Sequence, residues 1–194
     1  MDNLFFDKRD LKHCGSNVII GKTVRIRQPE LVSIGDNVII DDFTYLSGNV
    51  DIGAYVHIAP GCVMAASKST IKMHDLSGLS AGCKVYAASS NYVNCGLDMP
   101  TIPEEYVYNV IYGPVEIMRF GLLGANTVVL PSVTVPEGMA VAANLIIRKQ
   151  AKLMPWHVLL DSEGKQIPRR GKEKLLEQTR RFYQFEDTPP TTNE

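Results

Sequence analysis

From Ile34 to Met64 an aliphatic residue occupies every sixth position: Ile34, Ile40, Leu46, Ile52, Ile58 and Met64. The beat resumes at Met73, Leu79 and Val85, and again at Ile117, Leu123, Val129, Val135, Val141 and Ile147. A period of six fits neither an isolated amphipathic helix nor a free-standing strand. It is the rhythm of a hexapeptide β-helix, in which each six-residue unit forms one side of a prism. Ile20 and Ile26 join the series before a two-residue slip. Three sides make one coil of about 18 residues, stacked on the next at about 4.8 Å. The series therefore predicts about five to six coils and a prism roughly 25 Å long.

The slot four residues after each aliphatic is small or β-branched, as a narrow interior demands. It holds Val24, Val38, Thr44, Val50, Val56, Cys62, Ser77, Cys83, Thr127 and Val133. Gly21, Gly35, Gly53 and Gly124 follow their aliphatics at a corner where a free φ or a close backbone approach helps. Two interruptions break the rhythm. Three extra residues fall near Ser67–Thr70, and about 26 leave the prism between Val85 and Ile117. Long excursions from a compact domain are usually functional. The predicted organisation is an N-terminal cap over 1–17, the β-helix over 18–154 with an ejected loop at 89–114, and an extension over 155–194. Met154-Pro-Trp-His157 reads as a turn leaving the prism. Residues 171–185 read as an amphipathic helix with Leu175, Leu176, Thr179, Phe182 and Phe185 on its apolar face.

Composition narrows the function classes. With 45% hydrophobic residues and a formal charge of -1, the chain is an ordinary globular one. No apolar run approaches the length of a membrane span. The acidic start, Met1-Asp-Asn-Leu-Phe-Phe-Asp7, is not that of a signal peptide, which implies a cytoplasmic protein. Cys14, Cys62, Cys83 and Cys95 form no CxxC pair, so metal and redox motifs are unsupported, and Cys62 and Cys83 read as core thiols. Residues 148–181 hold ten of the twenty Lys and Arg, a basic segment suited to phosphates or to a solvated helix face. Nucleic-acid binding is disfavoured by the slightly acidic whole and the lack of a base-stacking motif.

Several stretches together resemble one family. They are Ser33-Ile-Gly-Asp-Asn-Val-Ile-Ile-Asp-Asp-Phe43, Gly53-Ala-Tyr-Val-His-Ile-Ala-Pro60, Pro103-Glu-Glu-Tyr106, Tyr112-Gly-Pro-Val-Glu-Ile117 and Gly121-Leu-Leu-Gly-Ala-Asn-Thr-Val-Val-Leu-Pro131. The chain resembles the hexapeptide-repeat acyltransferases of bacterial surface-polysaccharide synthesis, relatives of galactoside acetyltransferase, over roughly residues 15–157. The resemblance implies an all-β, left-handed parallel β-helix, a homotrimer with active sites between subunits, and acetyl-CoA as co-substrate without a metal. It implies that Ala125 and Ala143 line the pantetheine path and that Arg148 and Lys149 face CoA. It departs from the family twice. Ala87-Ala-Ser-Ser-Asn-Tyr92 lacks the His usual at the start of the long loop, and Leu159–Pro168 replaces the usual Gly-x-Pro-Ala-Lys close.

Acyl transfer from a thioester needs a nucleophile, a proton acceptor and oxyanion donors. A hydroxyl acceptor depends strongly on a base, whereas a neutral amine carries its own lone pair. The missing His therefore tilts the expectation toward an amino sugar, most simply a nucleotide-linked one. His57 and His74 are the candidate catalytic residues, flanking the insertion on neighbouring coils. Asp41, Asp42, Asn91, Tyr92 and Asn94 are candidates to hold the acceptor. Trp156 either packs beneath the C-terminal helix or stacks on adenine, and packing is the expectation. Sugar O-acetylation and antibiotic acetylation use the same scaffold and stay open. So does a non-enzymatic rod, which has no need of a 26-residue loop. A β-helix carbonic anhydrase needs paired zinc-binding histidines that the spacing of His13, His57, His74 and His157 does not provide.

Overall fold

A computed structural model describes residues 3–93, 96–169 and 171–185. The chain winds into three parallel walls around one apolar core, the left-handed β-helix with a C-terminal helix that the hexad rhythm and the family resemblance imply. The ladder registers give the coil length directly. On the second wall Ile39 pairs with His57, Leu122 with Ala140, and Ala140 with Val158, each a step of 18 residues. The step lengthens to 44 between Gly78 and Leu122, where the long loop leaves. The first wall stacks His13, Ser33, Asp51, Lys72, Glu116 and Thr134. The third stacks Arg25, Tyr45, Val63, Lys84, Val128 and Ile146.

The rhythm residues are the core. Ile34, Ile40, Leu46, Ile58, Met64, Met73 and Ile117 are fully buried, and each contributes about 1.5–3 kcal/mol relative to exposure. All ten small slots from Val24 to Val133 are buried as well. Along one interior edge the polar ones satisfy corner carbonyls. Thr44 Oγ1 donates to Ala59 O, the Cys62 thiol to Ser80 O, the Cys83 thiol to Gly124 O and Thr127 Oγ1 to Ala142 O. Hydrogen bonding with Cys83, together with burial, pushes the Cys62 thiol far above its usual range. The same contact with Cys62 holds the Cys83 thiol below its usual range, and both thiols are buried in the core.

Of the two reasons for glycine at these corners, close backbone approach is the one that holds. The glycines at Gly21, Gly35, Gly53 and Gly124 have ordinary φ, and close approach alone requires them. A Cβ on Gly124 would stand 2.6 Å from the Ala143 nitrogen. After three of these four the left-handed residue comes two positions later, as Asn37, Tyr55 and Asn126, with Asn favoured by its tolerance of positive φ.

The prism is longer than the expected 18–154 at both ends. His13–Cys14 already pairs with the first wall, inside what reads as a cap. The Pro155-Trp156 turn does not leave the prism. It is another corner, and His157–Leu159 adds a rung to the second wall before Gln166–Pro168 turns back antiparallel. The long loop is also less irregular than its composition suggests. Ala88–Ser90 and Val110–Tyr112 pair as an antiparallel ribbon, and Glu104–Tyr106 forms a single 3-10 turn.

The extension folds back along the corner between the first and second walls. Trp156 packs on Phe120 with centroids 5.7 Å apart, and Lys172 Nζ lies 5.0 Å over the indole, so Trp156 is a packing residue. Helix α1 (Lys172–Phe185) sets Phe182 edge-on to Tyr55 at 4.9 Å, and Arg119 lies over the rings of Phe120 and Tyr183. Arg169 Nη1 donates to Phe120 O and Gly138 O, and burial lowers its pKa. Part of the basic segment thus binds the chain itself. The helix runs from 172 where 171 was expected; Asn94, Cys95 and the side chain of Phe185 lie outside the described residues.

Gly138 has φ +67, and a Cβ there would stand 2.4 Å from the Trp156 ring; Gly61 has φ +72 with nothing within 4 Å. Gly138→Ala is expected to cost about 2–4 kcal/mol in denaturant unfolding. Gly61→Ala should cost only the backbone strain of about 1–2 kcal/mol.

Candidate active site

Both interruptions of the rhythm sit on one corner, after the third wall. The ladder between Tyr45–Ile52 and Val63–Met73 shifts register after Ser47, and the surplus is Ser67-Lys68-Ser69, with Ser67 left-handed and Ser67 and Lys68 exposed. One coil later the long loop springs from the same corner on its antiparallel ribbon. Between them lies a cavity of ≈ 670 Å³. Its floor is Tyr86, Ala88 and Leu130, and the loop closes it with Met99, Ile102 and Val110. Hydroxyls of Ser67, Ser89 and Ser90 and the carboxylates of Asp98 and Glu104 supply polar groups. Lys68 ion-pairs with Glu104 across the mouth, which raises the lysine pKa and lowers that of the glutamate. An apolar chamber with a few converging polar groups is the usual form of a small-molecule site.

The anticipated residues fall in four places. Tyr92 lines the loop cavity and is 89% exposed. Asn91 works inside the loop, its side-chain oxygen accepting from Val93 N and its backbone pairing with Asn109. Arg148 and Lys149 stand exposed one coil beyond Leu130, on the same corner as the cavity. Ala125 and Ala143 stack on the neighbouring corner, between the second and third walls, where Asn144 N donates to Ala125 O.

The two candidate histidines do not share a site within one chain. His57 is exposed in the middle of the second wall, and its Nε2 lies 2.8 Å from Asp41 Oδ2. A carboxylate only accepts, so His57 Nε2 donates this bond. His74 stands at the corner between the first and second walls and lines a separate ≈ 250 Å³ cavity with His13, its Nε2 3.7 Å from Glu116 Oε2. Asp42 holds its own corner. Its Oδ1 accepts from both Thr23 N and Thr23 Oγ1, and those bonds lower its pKa.

Sequence reasoning missed Lys68, Tyr86, Ser89, Ser90, Asp98 and Glu104. Lys68 lies in the insertion and Glu104 in the Pro103-Glu-Glu-Tyr106 motif, so the position of both breaks was signal enough to nominate them. Among the described residues, no group of three or more His, Cys, Asp or Glu side chains is arranged to hold a metal ion, and no helix is long and apolar enough to cross a membrane.

The family model for bacterial transferase hexapeptide repeats (six repeats) matches residues 32–66. A dTDP-4-amino-4,6-dideoxy-D-glucose acyltransferase of Escherichia coli is 31% identical over 181 residues, covering 91% of both chains. The chain belongs to the hexapeptide-repeat acyltransferases. AntD, an N-acyltransferase from Bacillus cereus solved with dTDP and 3-hydroxybutyryl-CoA, superposes with a TM-score of 0.86 at 33% identity, covering 96% of this chain and all of that one. A maltose O-acetyltransferase of Clostridium difficile shares the fold alone, with a TM-score of 0.53 at 14% identity over 83% of this chain and 71% of that one. The protein is an acyl-CoA-dependent acyltransferase with a β-helical scaffold.

The Thr23 bonds favour the ionised Asp42, so their stabilisation is complete above the ordinary carboxylate range and is lost as pH falls through the lowered pKa. The melting-temperature gap between wild type and Asp42→Asn should therefore be widest at neutral pH and close on acidification, with acyl transfer at pH 7 unchanged.

Proposed function

We infer that the protein transfers an acyl group from acyl-CoA to the amine of a nucleotide-linked amino sugar, in the cytoplasmic stage of surface-polysaccharide synthesis. The observation that carries this reading is the cavity under the long loop, which has room for a sugar, holds hydroxyls and carboxylates, and contains no histidine among its described residues. An amine acceptor suits such a chamber better than a hydroxyl, because it is nucleophilic without a base and needs one only to take the proton it loses after attack. The Escherichia coli relative is named for a dTDP-amino sugar, and AntD is described as an N-acyltransferase bound to dTDP, which supports the same acceptor class. Acetyl is the default donor group, and the 3-hydroxybutyryl-CoA held by AntD adds short hydroxyacyl groups to those worth assaying.

In the proposed reaction the neutral amine attacks the thioester carbonyl. The carbon–sulfur bond breaks, coenzyme A leaves as its thiol, and the nitrogen loses one proton as the amide forms. Backbone amides of the coil beside the loop hold the oxyanion. Arg148 and Lys149 meet the phosphates of CoA, with Ala125 and Ala143 beside its pantetheine arm.

A homotrimer completes the site. The outward ladder of the second wall is Ile19, Ile39, His57, Gly78, Leu122, Ala140 and Val158, apolar except for one histidine, whereas the first wall is polar throughout. Exposed aliphatic ladders of this kind mark protein–protein surfaces. Copies meeting there bring His57, with Asp41 behind it, toward a neighbour's loop cavity, where Nδ1 takes the proton released by the amine and passes it to the departing thiolate. Asp42 and His74 keep to their corners in this arrangement.

Purified protein given acetyl-CoA and dTDP-4-amino-4,6-dideoxyglucose should release free thiol and yield an amide by mass spectrometry; acylation of maltose instead would overturn the amine reading. His57→Ala should lower kcat by about 100-fold or more. Full turnover in that variant would remove the histidine from the reaction. Ile39→Asp with Leu122→Asp should shift the protein from trimer to monomer in light scattering and abolish turnover.

A further inference from the structure

The three extra residues of the third coil call for an explanation of their own, since a β-helix coil closes without them. They bring Lys68 to the mouth of the loop cavity, where it is the only cation among the described lining residues. Its partner there is Glu104, on the 3-10 turn of the long loop, which also lines the cavity. Both side chains are well exposed, at 58% and 81%, so solvent screens the pair and its hold is weak. Serine hydroxyls of Ser67 and Ser90 stand in the same lining. A single exchangeable cation among hydroxyls, opposite a carboxylate, is the chemistry of a site that takes a phosphorylated ligand and holds an internal anion until the ligand arrives.

We propose that Lys68 binds the diphosphate of a bound nucleotide and that Glu104 is its stand-in when the cavity is empty. The proposal rests on the functional reading above, and deepens it by naming the residue that recognises the diphosphate and the loop contact that must break to let it in. An ammonium on a flexible stem transfers readily from carboxylate to phosphate oxygen, and a charge-assisted bond to a dianionic diphosphate outweighs one to a lone carboxylate. Release of Glu104 also frees the 3-10 turn, so ligand entry and loop movement are one event. Both substrates carry a diphosphate, the nucleotide sugar and coenzyme A. The test separates them.

Isothermal titration of full-length protein with dTDP, and separately with coenzyme A, decides the matter across wild type, Lys68→Ala and Glu104→Gln. Lys68→Ala is expected to weaken one of the two ligands by about tenfold or more. Glu104→Gln removes the competitor and should tighten the same ligand several-fold. Loss confined to dTDP assigns the diphosphate to the acceptor, and loss confined to coenzyme A assigns it to the donor. Unchanged affinity for both ligands in Lys68→Ala overturns the proposal. So does a Glu104→Gln variant weakened as much as Lys68→Ala, because the pair would then only prop the loop. Wild type that binds neither ligand fails the functional reading instead, and thermal melts confirm that each variant is folded.

Discussion

Every coil of this molecule must hydrogen-bond to the coil above and below it at the strand spacing, and that single requirement governs the rest. Parallel ladders tolerate no local change in coil length unless the surplus residues are expelled at a corner. Inside, the walls leave room for one large aliphatic and one small residue per side. Leu46 and Met64, or Val50 and Ile71, therefore stack rung on rung. The polar exceptions, Thr44, Cys62, Ser77, Cys83 and Thr127, survive because each hydroxyl or thiol reaches a corner carbonyl. A buried donor without such an acceptor would cost far more than the small side chain gains.

Expulsion of surplus residues is also how this fold makes a site. A regular prism presents three flat walls and no concavity. Here the insertion at Ser67 and the loop after Tyr86 leave from the same corner on consecutive coils, so the space between them is enclosed on two sides by chain that the ladder rejected. The antiparallel ribbon at the loop's root continues strand pairing outward from the prism and keeps its base rigid. Farther out, Tyr92, Val93 and Tyr108 are almost wholly exposed.

Sequence periodicity gave access to the fold because the constraint acts on every coil and writes the same residue at the same interval. The core positions, the small slots and both breaks are readable from Ile34, Val38 and their repeats. The ends were harder, for a physical reason. Val158 and Leu159 continue the second wall, but the turn before their strand is Pro155-Trp156, and a proline beside a bulky aromatic resembles an exit rather than a corner. Trp156 is tolerated at left-handed φ because Phe120, Gly138 and Lys172 enclose its ring. Such a contact joins residues far apart in the chain and leaves no periodic trace.

The site was legible only as a location. Which side chains line it depends on how a loop of unrepeated sequence folds over the corner, and periodicity says nothing about that. Histidine chemistry is versatile, yet His57 lies on the second wall and His74 at the corner between the first and second, and neither lines the loop cavity of its own chain. Lysine and serine in a short insertion look like solvated filler until the loop is seen to fold across them. A residue that interrupts a strict repeat costs the scaffold regularity and returns no core burial. In a molecule built on repetition, the positions that break the rule are therefore where a concave site can form, and Lys68 stands at such a break whereas His57 and His74 keep to the regular coil.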